Sequence, residues 1–301
     1  MLYMNIKELS GYSSDPETIC LKISGDDAGK FLQGQFSNDI NLLEKDISQY
    51  SSYSTNQGKV IAILRILKDK NSYLILINKE ISDYFIQKLS MYILMSKVTI
   101  EMTNEYHIIG ICGQMSKELL SSYNAKKSSD IKEDDNYQIL NNNSEYFSSS
   151  TLIYKDEAKE IDEIKKLLTK GQLEFNVNKL SDYYNRILRV TMETKEQYIP
   201  QVLNLEKLNG INYKKGCYTG QEIVARTHYL GKIKKQIFLI NHNSKLINIS
   251  NKIHDENNEI LGEVISGNQT IQEEIICLAV IRLDAIEKDL YINNTKVNIV
   301  N

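Results

Sequence analysis

The chain has 301 residues, enough for about two domains at ~150 residues each. Hydrophobic residues make up 42% and charged residues 25%, with 14 glycines and 2 prolines, which excludes collagen-like and wholly disordered chains. No apolar run approaches the ~20 residues that span a bilayer. Residues 1–15 lack the basic and then apolar segments of a signal peptide. We therefore expect a cytoplasmic protein without membrane contact.

The first part of the sequence predicts an α+β fold. Apolar residues spaced three and four apart predict helices, and short runs rich in Val, Ile and Leu predict strands. In chain order we expect a helix over 26–36 with Asp26 or Asp27 as its N-cap, strands over 60–67 and 72–78 joined by a turn, a helix over 80–96, and strands over 97–101 and 107–112. This order indicates sheets covered on one face, not a doubly wound parallel sheet.

The rest of the sequence repeats this rhythm and then changes. We expect, in chain order, a polar loop over 124–150 with at most one short strand at 137–140, a strand at 151–154, a helical pattern at 156–168, and, after 233, short strands separated by Asn, Ser and Gly. Such short strands are typical of a small barrel or sandwich. The sequence therefore predicts two regions, 1–232 and 233–301.

The four cysteines contain no C-x-x-C pair, and the four histidines show no H-x-x-x-H pattern. Both patterns are typical of metal sites, so the sequence predicts none. Cys20, Cys112 and Cys277 lie in apolar, strand-like runs, as small buried hydrophobic residues do. Cys217 differs because its surroundings, KKGCYTGQE, are polar and flanked by lysines.

This string, at 214–222, is the densest local signal in the sequence. Thr219 and Glu222 have the spacing of a capping box ahead of an apolar run, so we expect a helix to begin just after Cys217. A helix N-terminus and two neighbouring ammonium groups favour the thiolate form, which makes Cys217 the candidate reactive thiol. The alternative is that Thr219 and Glu222 only cap the helix while Cys217 packs beneath the turn.

Between 214 and 235 only Glu222 opposes a group of basic residues, namely Lys214, Lys215, Arg226, Lys232, Lys234 and Lys235. With Tyr218, His228 and Tyr229 among them, they are suited to an anionic ligand tail or a nucleic-acid backbone, and the alternative is a solvated lysine face. No carboxylate or second histidine keeps catalytic spacing with His228, so we interpret it as a surface or hydrogen-bonded histidine. The glycines at 25, 29 and 34 form no nucleotide-binding loop.

Two stretches carry a resemblance to a known family. One is KKGCYTGQEIVAR at 214–226, preceded by YIPQVLNLEKLNGINY, and the other is ISGDDAGKFLQGQFSND at 23–39, followed by NQGKVIAILRI. Together they resemble the YgfZ family of folate-binding relatives of the glycine-cleavage T-protein, often labelled tRNA-modifying proteins. The similarity covers most of residues 18–235.

The resemblance implies a ring of three lobes, two of ferredoxin-like α+β type and a C-terminal β-barrel, with tetrahydrofolate or another reduced folate at the central hole. It also implies a role in assembly or repair of iron–sulfur enzymes, so that the effect on tRNA methylthiolation is indirect. The partners it implies are iron–sulfur enzymes or assembly factors. The residues that match the family are Gln33, Gly34, Gln35, Asp39, Lys215, Gly216, Cys217, Tyr218, Gly220, Gln221, Glu222 and Arg226.

The sequence also departs from the family. Where the T-protein has a catalytic aspartate, this chain has Ala62, which can neither orient nor deprotonate a folate amine. Family members often place tryptophans beside the folate, and this chain has none, so the resemblance implies that Tyr183 or Tyr184 supplies the stacking ring. Residues 186–192, RILRVTM, lack the family's R-I-x-A-G-I-P form.

We interpret the chain as a folate-binding accessory protein, not a classical enzyme, with Cys217 as its functional thiol. Two alternatives stay open. The first is an aminomethyl or one-carbon transferase resembling the T-protein, against which Ala62 argues. The second is a module that binds tRNA directly through residues 214–235, against which the net charge of −3 and the lack of a known RNA motif argue.

Overall fold

The computed structural model describes residues 9–43, 48–128, 137–142, 144, 147–160, 162–169, 171–244, 247–271 and 274–300. The chain divides into two compact units, one of residues 1–20 and 102–185, the other of residues 21–101 and 186–301. The first eight residues of the segment considered as a signal peptide, and residues 129–136 of the predicted loop, lie outside the described residues.

The strands, in chain order, are β1 (Gly11–Ser14), β2 (Thr18–Ser24), β3 (Ser48–Ser54), β4 (Val60–Asp69), β5 (Ser72–Asn78), β6 (Thr99–Thr103), β7 (His107–Cys112), β8 (Tyr137–Asn141), β9 (Ser149–Tyr154), β10 (Lys235–His242), β11 (Lys252–His254), β12 (Ile260–Val264), β13 (Gln269–Ile271), β14 (Glu274–Arg282), β15 (Leu290–Ile292) and β16 (Thr295–Val300). The helices are α1 (Ala28–Gln33), α2 (Lys79–Ser90), α3 (Gly113–Ser128), α4 (Asp162–Leu168), α5 (Val177–Tyr184) and α6 (Gln221–Leu230). Among these described helices, none is long and apolar enough to cross a membrane.

The unit of residues 1–20 and 102–185 contains a four-stranded sheet in the order β1-β7-β9-β8, with antiparallel ladders. Helix α5 packs close to β7 because Gly110 has no side chain: a Cβ atom there would lie 2.7 Å from Asn178 N. Thr151 Oγ1 on β9 donates to Asn178 Oδ1 at 2.9 Å. The core of this unit is formed by Tyr12, Ile109, Ile111, Leu119, Tyr137, Ile139, Leu152, Tyr154, Ala158, Ile164 and Leu167.

A five-stranded sheet in the order β3-β4-β5-β2-β6 begins the other unit. Strands β4 and β5 pair antiparallel up to Asp69 and Ser72, which confirms the predicted hairpin. Three buried aromatic rings pack the C-terminal end of α1 and helix α2 against this sheet. Phe36 follows α1, Tyr53 lies on β3 and Phe85 on α2, and their ring centroids are 5.5 to 6.2 Å apart.

Two predicted helices are shorter in the structure than in the sequence analysis. Helix α1 begins at Ala28 after Asp27, but the Asp27 side chain does not cap it. Instead Asp27 Oδ2 accepts a hydrogen bond from Lys97 N at 2.8 Å. Helix α2 ends at Ser90, and residues 91–95 form an exposed turn in which Leu94 adopts φ +44°. The predicted helix over 80–96 was therefore too long at its C-terminal end.

The C-terminal strands form a closed barrel. The order β10-β16-β15-β11-β12-β14 returns to β10 through an antiparallel β10–β14 ladder, and β13 adds to β14. The barrel is joined to the preceding segment by Ile237 N, which donates to Val202 O at 3.0 Å. Its core residues are Ile240, Ile247, Ile253, Leu261, Val264, Cys277, Ala279, Ile281, Ala285, Leu290, Ile292 and Val297. The barrel alternative is thus confirmed, whereas the predicted domain boundary near 232 stays a prediction.

Candidate functional site

The motif turn, residues 214–221, leads directly into α6. The helix begins at Gln221, as expected, but its N-cap is Gly220 in the left-handed conformation at φ +83°, with no side-chain cap. The predicted capping box of Thr219 and Glu222 was therefore wrong. Thr219 Oγ1 donates instead to Gln35 Oε1 at 3.2 Å, because the turn faces the segment after α1.

Two glycines allow the motif turn to pack against the turn between β3 and β4. A Cβ atom on Gly220 would lie 2.5 Å from Thr55 O and 3.0 Å from Gly58 Cα. Gly58 also has a positive φ, +70°, and a Cβ atom there would lie 3.0 Å from Ile223 Cβ. Both positions need glycine for conformation and for space, so the two turns are held at backbone contact.

Lys215 is the main link between the motif turn and the segment after α1. Its side chain is buried, and Nζ donates to three backbone carbonyl oxygens, those of Gln33 at 2.8 Å, Phe36 at 2.6 Å and Asn38 at 2.8 Å. An ammonium group has three N–H donors, so each is satisfied. Lys215 is therefore an internal cross-link and not part of the solvated lysine face considered from the sequence.

The surroundings of Lys215 act on its charge in opposite directions. Burial lowers the pKa of this lysine from 10.5 to about 8, and the nearby Asp39 carboxylate partly opposes the shift. Nζ also lies 5.1 Å from the centroid of the Tyr218 ring, a cation–π arrangement.

Further hydrogen bonds fasten the residues that precede the motif turn. Asn212 Oδ1 accepts from Lys215 N at 3.1 Å, and Asn212 N donates to Ser37 O at 2.9 Å. Ser37 is buried, and its Oγ donates to Gly210 O at 2.6 Å. Asn38 Nδ2 bridges Tyr50 O on β3 and the backbone at residue 209. The two stretches that carried the resemblance are thus in direct contact.

Gln35 and Asp39, which match the family in the stretch 23–39, lie on this same segment after α1 and are half-buried. Asp39 Oδ1 accepts from Gln33 Nε2 at 2.9 Å and caps the following short helical turn by accepting from Asn41 N at 3.0 Å. Gln35 binds Thr219 through Oε1, and no described residue accepts from its Nε2. One amide donor of Gln35 therefore stays available.

Two buried polar atoms near the motif turn have no hydrogen-bond partner among the described residues. They are the hydroxyl of Tyr218 and Oε1 of Gln201. Burial raises the pKa of Tyr218, so its hydroxyl stays protonated. Gln201 Nε2 is satisfied by Val224 O at 2.7 Å and Tyr213 Oη at 3.2 Å. Unpaired buried polar atoms are rare and costly, and each of these two has the capacity for one further hydrogen bond.

Cys217 is exposed, whereas Cys20, Cys112 and Cys277 are buried, as their apolar runs predicted. Burial raises the pKa of Cys112 to about 11 and that of Cys277 to about 12. A Cβ atom on the neighbouring Gly216 would meet nothing within 4 Å, so this side of the turn borders open space. Cys217 therefore does not pack beneath the turn, and that alternative is wrong.

The predicted residues on α6 divide by exposure. Gln221 is half-buried, and its Oε1 accepts from Tyr218 N at 3.3 Å. Glu222 and Arg226 are exposed one helical turn apart. Both charged side chains are therefore accessible from solvent, whereas Gln221 stabilises the motif turn through its hydrogen bond with Tyr218.

His228 has a carboxylate partner that the sequence analysis missed. Its Nδ1 lies 2.8 Å from Glu206 Oε1, and Tyr213 Oη donates to the same oxygen at 2.5 Å. The rings of Tyr213 and His228 are stacked with centroids 3.8 Å apart, and Tyr229 packs edge-on against His228 at 4.8 Å. Only an expected reversal of the chain between 206 and 228 could have indicated this pair from the sequence.

Tyr183 and Tyr184 lie on α5, in the unit of residues 1–20 and 102–185, and both are buried. The Tyr184 ring centroid lies 5.9 Å from that of Phe147. The expectation that one of them stacks on a folate stays a prediction. Within the described part of the chain, no three His, Cys, Asp or Glu side chains are grouped closely enough to hold a metal ion.

The amino-acid sequence is similar to those of several proteins named tRNA-modifying protein YgfZ. The tRNA-modifying protein YgfZ of Colwellia psychrerythraea is 28% identical over 248 residues, which cover 78% of this chain and 75% of that protein. Those of Hamiltonella defensa and Shigella sonnei are each 29% identical over 72% of this chain, and cover 66% and 68% of the relatives. The resemblance to the YgfZ family is confirmed. No family model matches the chain.

The fold is shared with the T-protein. The crystal structure of the glycine cleavage system aminomethyltransferase T from Bartonella henselae matches 99% of this chain and 87% of that chain, with a TM-score of 0.72 and 10% identity. The predicted α+β fold with a C-terminal β-barrel is thus confirmed as T-protein-like.

Proposed function

We propose that this chain is a cytoplasmic, folate-binding accessory protein that supports assembly or repair of iron–sulfur enzymes, and through them tRNA modification. The similarity to proteins named tRNA-modifying protein YgfZ and the T-protein-like fold support the general role. One observation carries the specific proposal: Lys215 fixes the motif turn to the segment after α1, and the Cys217 thiol stays exposed. An exposed thiol on a turn that is fixed in place is suited to contact with a partner protein.

The residues present fit a reduced folate. A pterin ring has an edge that both donates and accepts hydrogen bonds, and the folate tail is anionic. The unpaired Tyr218 hydroxyl, the unpaired Gln201 Oε1 and the available amide donor of Gln35 offer matching groups. We therefore assign the ring to Gln35, Asp39, Tyr218 and Gln221, and the tail to the exposed side near Arg226, with Glu222 beside it. Lys215 supports the site from within because its donors are already used.

The transferase alternative is disfavoured at position 62. Ala62 is fully buried on β4 opposite Tyr53, so it offers neither a proton acceptor nor an accessible surface. Purified protein is expected to show no folate-dependent aminomethyl transfer with a lipoyl carrier protein. Turnover at T-protein-like rates would promote that alternative.

Folate binding is tested by calorimetry with tetrahydrofolate on wild type and Tyr218→Phe. The substitution removes only the unpaired hydroxyl, so it is expected to weaken binding severalfold while leaving the free protein as stable or more stable. The control is Tyr12→Phe, which removes a hydroxyl that donates to Leu168 O at 2.6 Å and is expected to lower stability without changing folate affinity. Absence of binding by any reduced folate at millimolar concentration would refute the cofactor assignment.

The thiol is tested by alkylation at neutral pH and by complementation of an iron–sulfur maintenance defect. Cys217 is expected to react first because it is exposed and the other cysteines are buried. Cys217→Ser is expected to abolish complementation yet keep the unfolding free energy within about 0.5 kcal/mol of wild type. Full complementation by this variant would show that the thiol has no functional role.

A further inference from the structure

The exposed face of α6 combines apolar, aromatic and basic side chains. Tyr229 is 66% exposed and the adjacent Leu230 is 84% exposed. Arg226 is exposed one turn before Tyr229, and Lys232 and Lys234 are exposed just after the helix. We name the α6 surface by its outermost members: Lys214, Arg226, Tyr229, Lys232 and Lys234.

The aromatic part of this surface is held rigidly. Tyr213 and His228 stack at 3.8 Å, and Tyr229 contacts both rings edge-on, at 6.1 and 4.8 Å. Glu206 fixes Tyr213 and His228 through a shared carboxylate oxygen. The Tyr229 ring is thus braced from behind while its other side is open to solvent, so little conformational entropy is lost when a planar group stacks on it.

The local charge is opposite to that of the whole chain. The net charge is −3, yet residues 206–235 contain seven Lys and Arg against two Glu. One of the lysines, Lys215, is buried and used internally, which leaves six Lys and Arg against Glu206 and Glu222. Lys214, which directly follows Tyr213 in the chain, is exposed. The accessible charge at the α6 surface is therefore strongly positive.

We propose that the α6 surface binds single-stranded nucleic acid, with an unpaired base on Tyr229 and the backbone phosphates on the surrounding cations. Open aromatic rings beside Lys and Arg are the arrangement that proteins use for unpaired strands, because every base has a stackable face and every phosphate a charge. A duplex keeps its bases inside the stack and cannot use the Tyr229 ring. The net charge of the whole chain does not oppose this binding, since screening limits distant charges to about 10 Å at ordinary salt.

The test is fluorescence anisotropy with a labelled single-stranded RNA of about 12 nucleotides, a DNA of the same sequence, and the RNA as a duplex. Three or four phosphate contacts predict a roughly 20- to 50-fold loss of affinity for the single strand between 50 and 200 mM salt. Tyr229→Ala is expected to weaken binding at least roughly fivefold, and Tyr229→Phe to retain it, because stacking needs only the ring. The double variant Lys232→Glu with Lys234→Glu is expected to weaken it more than tenfold.

The controls match these variants in chemistry and exposure. Lys117→Glu with Lys166→Glu reverses two exposed lysines on α3 and α4, and Tyr92→Ala removes another exposed ring. Neither control is expected to change affinity. Equal losses in variants and controls, equal affinity for the duplex, or equally strong competition by polyglutamate would each overturn the proposal. RNA and DNA binding alike would support it, and a preference between them would identify the natural strand. The measurement uses no folate, so its result is independent of the proposed function.

Discussion

The two faces of the motif turn differ sharply although they alternate along one short string. Lys215 and Tyr218 point inward and are buried, and Lys215 binds three carbonyl oxygens. Lys214, Gly216 and Cys217 face solvent, and nothing lies within 4 Å of the place where a side chain on Gly216 would begin. The inner face thus holds the turn in place, and the outer face lies open to solvent.

The largest difference in stability is expected when the two adjacent lysines, Lys214 and Lys215, are replaced one at a time. Lys215→Met removes the donor of one buried carbonyl oxygen, that of Phe36, and of two partly buried ones, those of Gln33 and Asn38. A buried acceptor left without a donor costs about 1–3 kcal/mol and a partly buried one costs less, so we expect a loss of roughly 2–3 kcal/mol in unfolding free energy. Lys214→Met is the matched control and is expected to stay within about 0.5 kcal/mol. Urea denaturation measures both. Similar values for the two variants would show that the Lys215 contacts contribute little.

The two glycines of the motif turn offer a second matched pair. Gly220→Ala places a Cβ atom 2.5 Å from Thr55 O at a φ of +83°, so we expect a loss of roughly 2 kcal/mol or more. Gly216→Ala enters open space and is expected to be neutral or slightly stabilising. Thermal unfolding of both variants provides the test, and a neutral Gly220→Ala would mean that the two turns can separate at little cost.

The burial of Lys215 on the inner face also makes the unfolding free energy depend on pH. The pKa of Lys215 is lowered by burial to about 8 in the folded protein, against 10.5 ordinarily, so the unfolded chain holds this proton more tightly. The cost of burying the charge is fully present below pH 8 and is relieved between pH 8 and 10.5. The stability of wild type relative to Lys215→Met should therefore rise with pH in this window. A fall would mean that the three carbonyls, not burial, dominate the pKa.

The smallest effect is expected at Thr219. Its hydroxyl donates to Gln35 Oε1 at 3.2 Å and caps no helix, so Thr219→Ala should cost only about 0.5 kcal/mol. A lost N-cap would cost about 1 kcal/mol and would fray α6. Circular dichroism and urea denaturation distinguish the two outcomes, with Glu222→Ala, expected to be neutral, as the control.

Local patterns predicted the fold where neighbours in sequence decide the structure. The apolar runs of β4 and β5 form a hairpin with a short turn, and all the information needed lies within twenty residues. Helix α3 was missed because it begins at Gly113 and runs through a polar, Ser- and Lys-rich stretch with little apolar periodicity. The expected capping box failed for a related reason: Gly220, which lies inside the pattern, adopts the left-handed conformation and becomes the cap itself.

The sequence indicated candidate site residues but not their contacts in the structure. The motif located Lys215, Tyr218 and Cys217, yet it gave no sign that Lys215 would be buried. Its partners are backbone carbonyls, which every residue type has, so no side-chain pattern announces them. The pairing of His228 with Glu206 was hidden likewise, because it depends on a chain reversal that aligns residues 22 apart. Contacts of this kind join residues far apart in the sequence, so only the three-dimensional structure reveals them.

The Lys215 contacts also set an order of events during synthesis. The carbonyl of Gln33 lies 182 residues before the lysine that binds it. At translation rates of about 5–20 residues per second, the segment after α1 emerges on the order of 10–40 s before Lys215 exists. Throughout that interval its three carbonyls have no ammonium donor from this lysine. The segment after α1 therefore leaves the ribosome without these three hydrogen bonds. The lysine that supplies them is synthesised only two residues before Cys217.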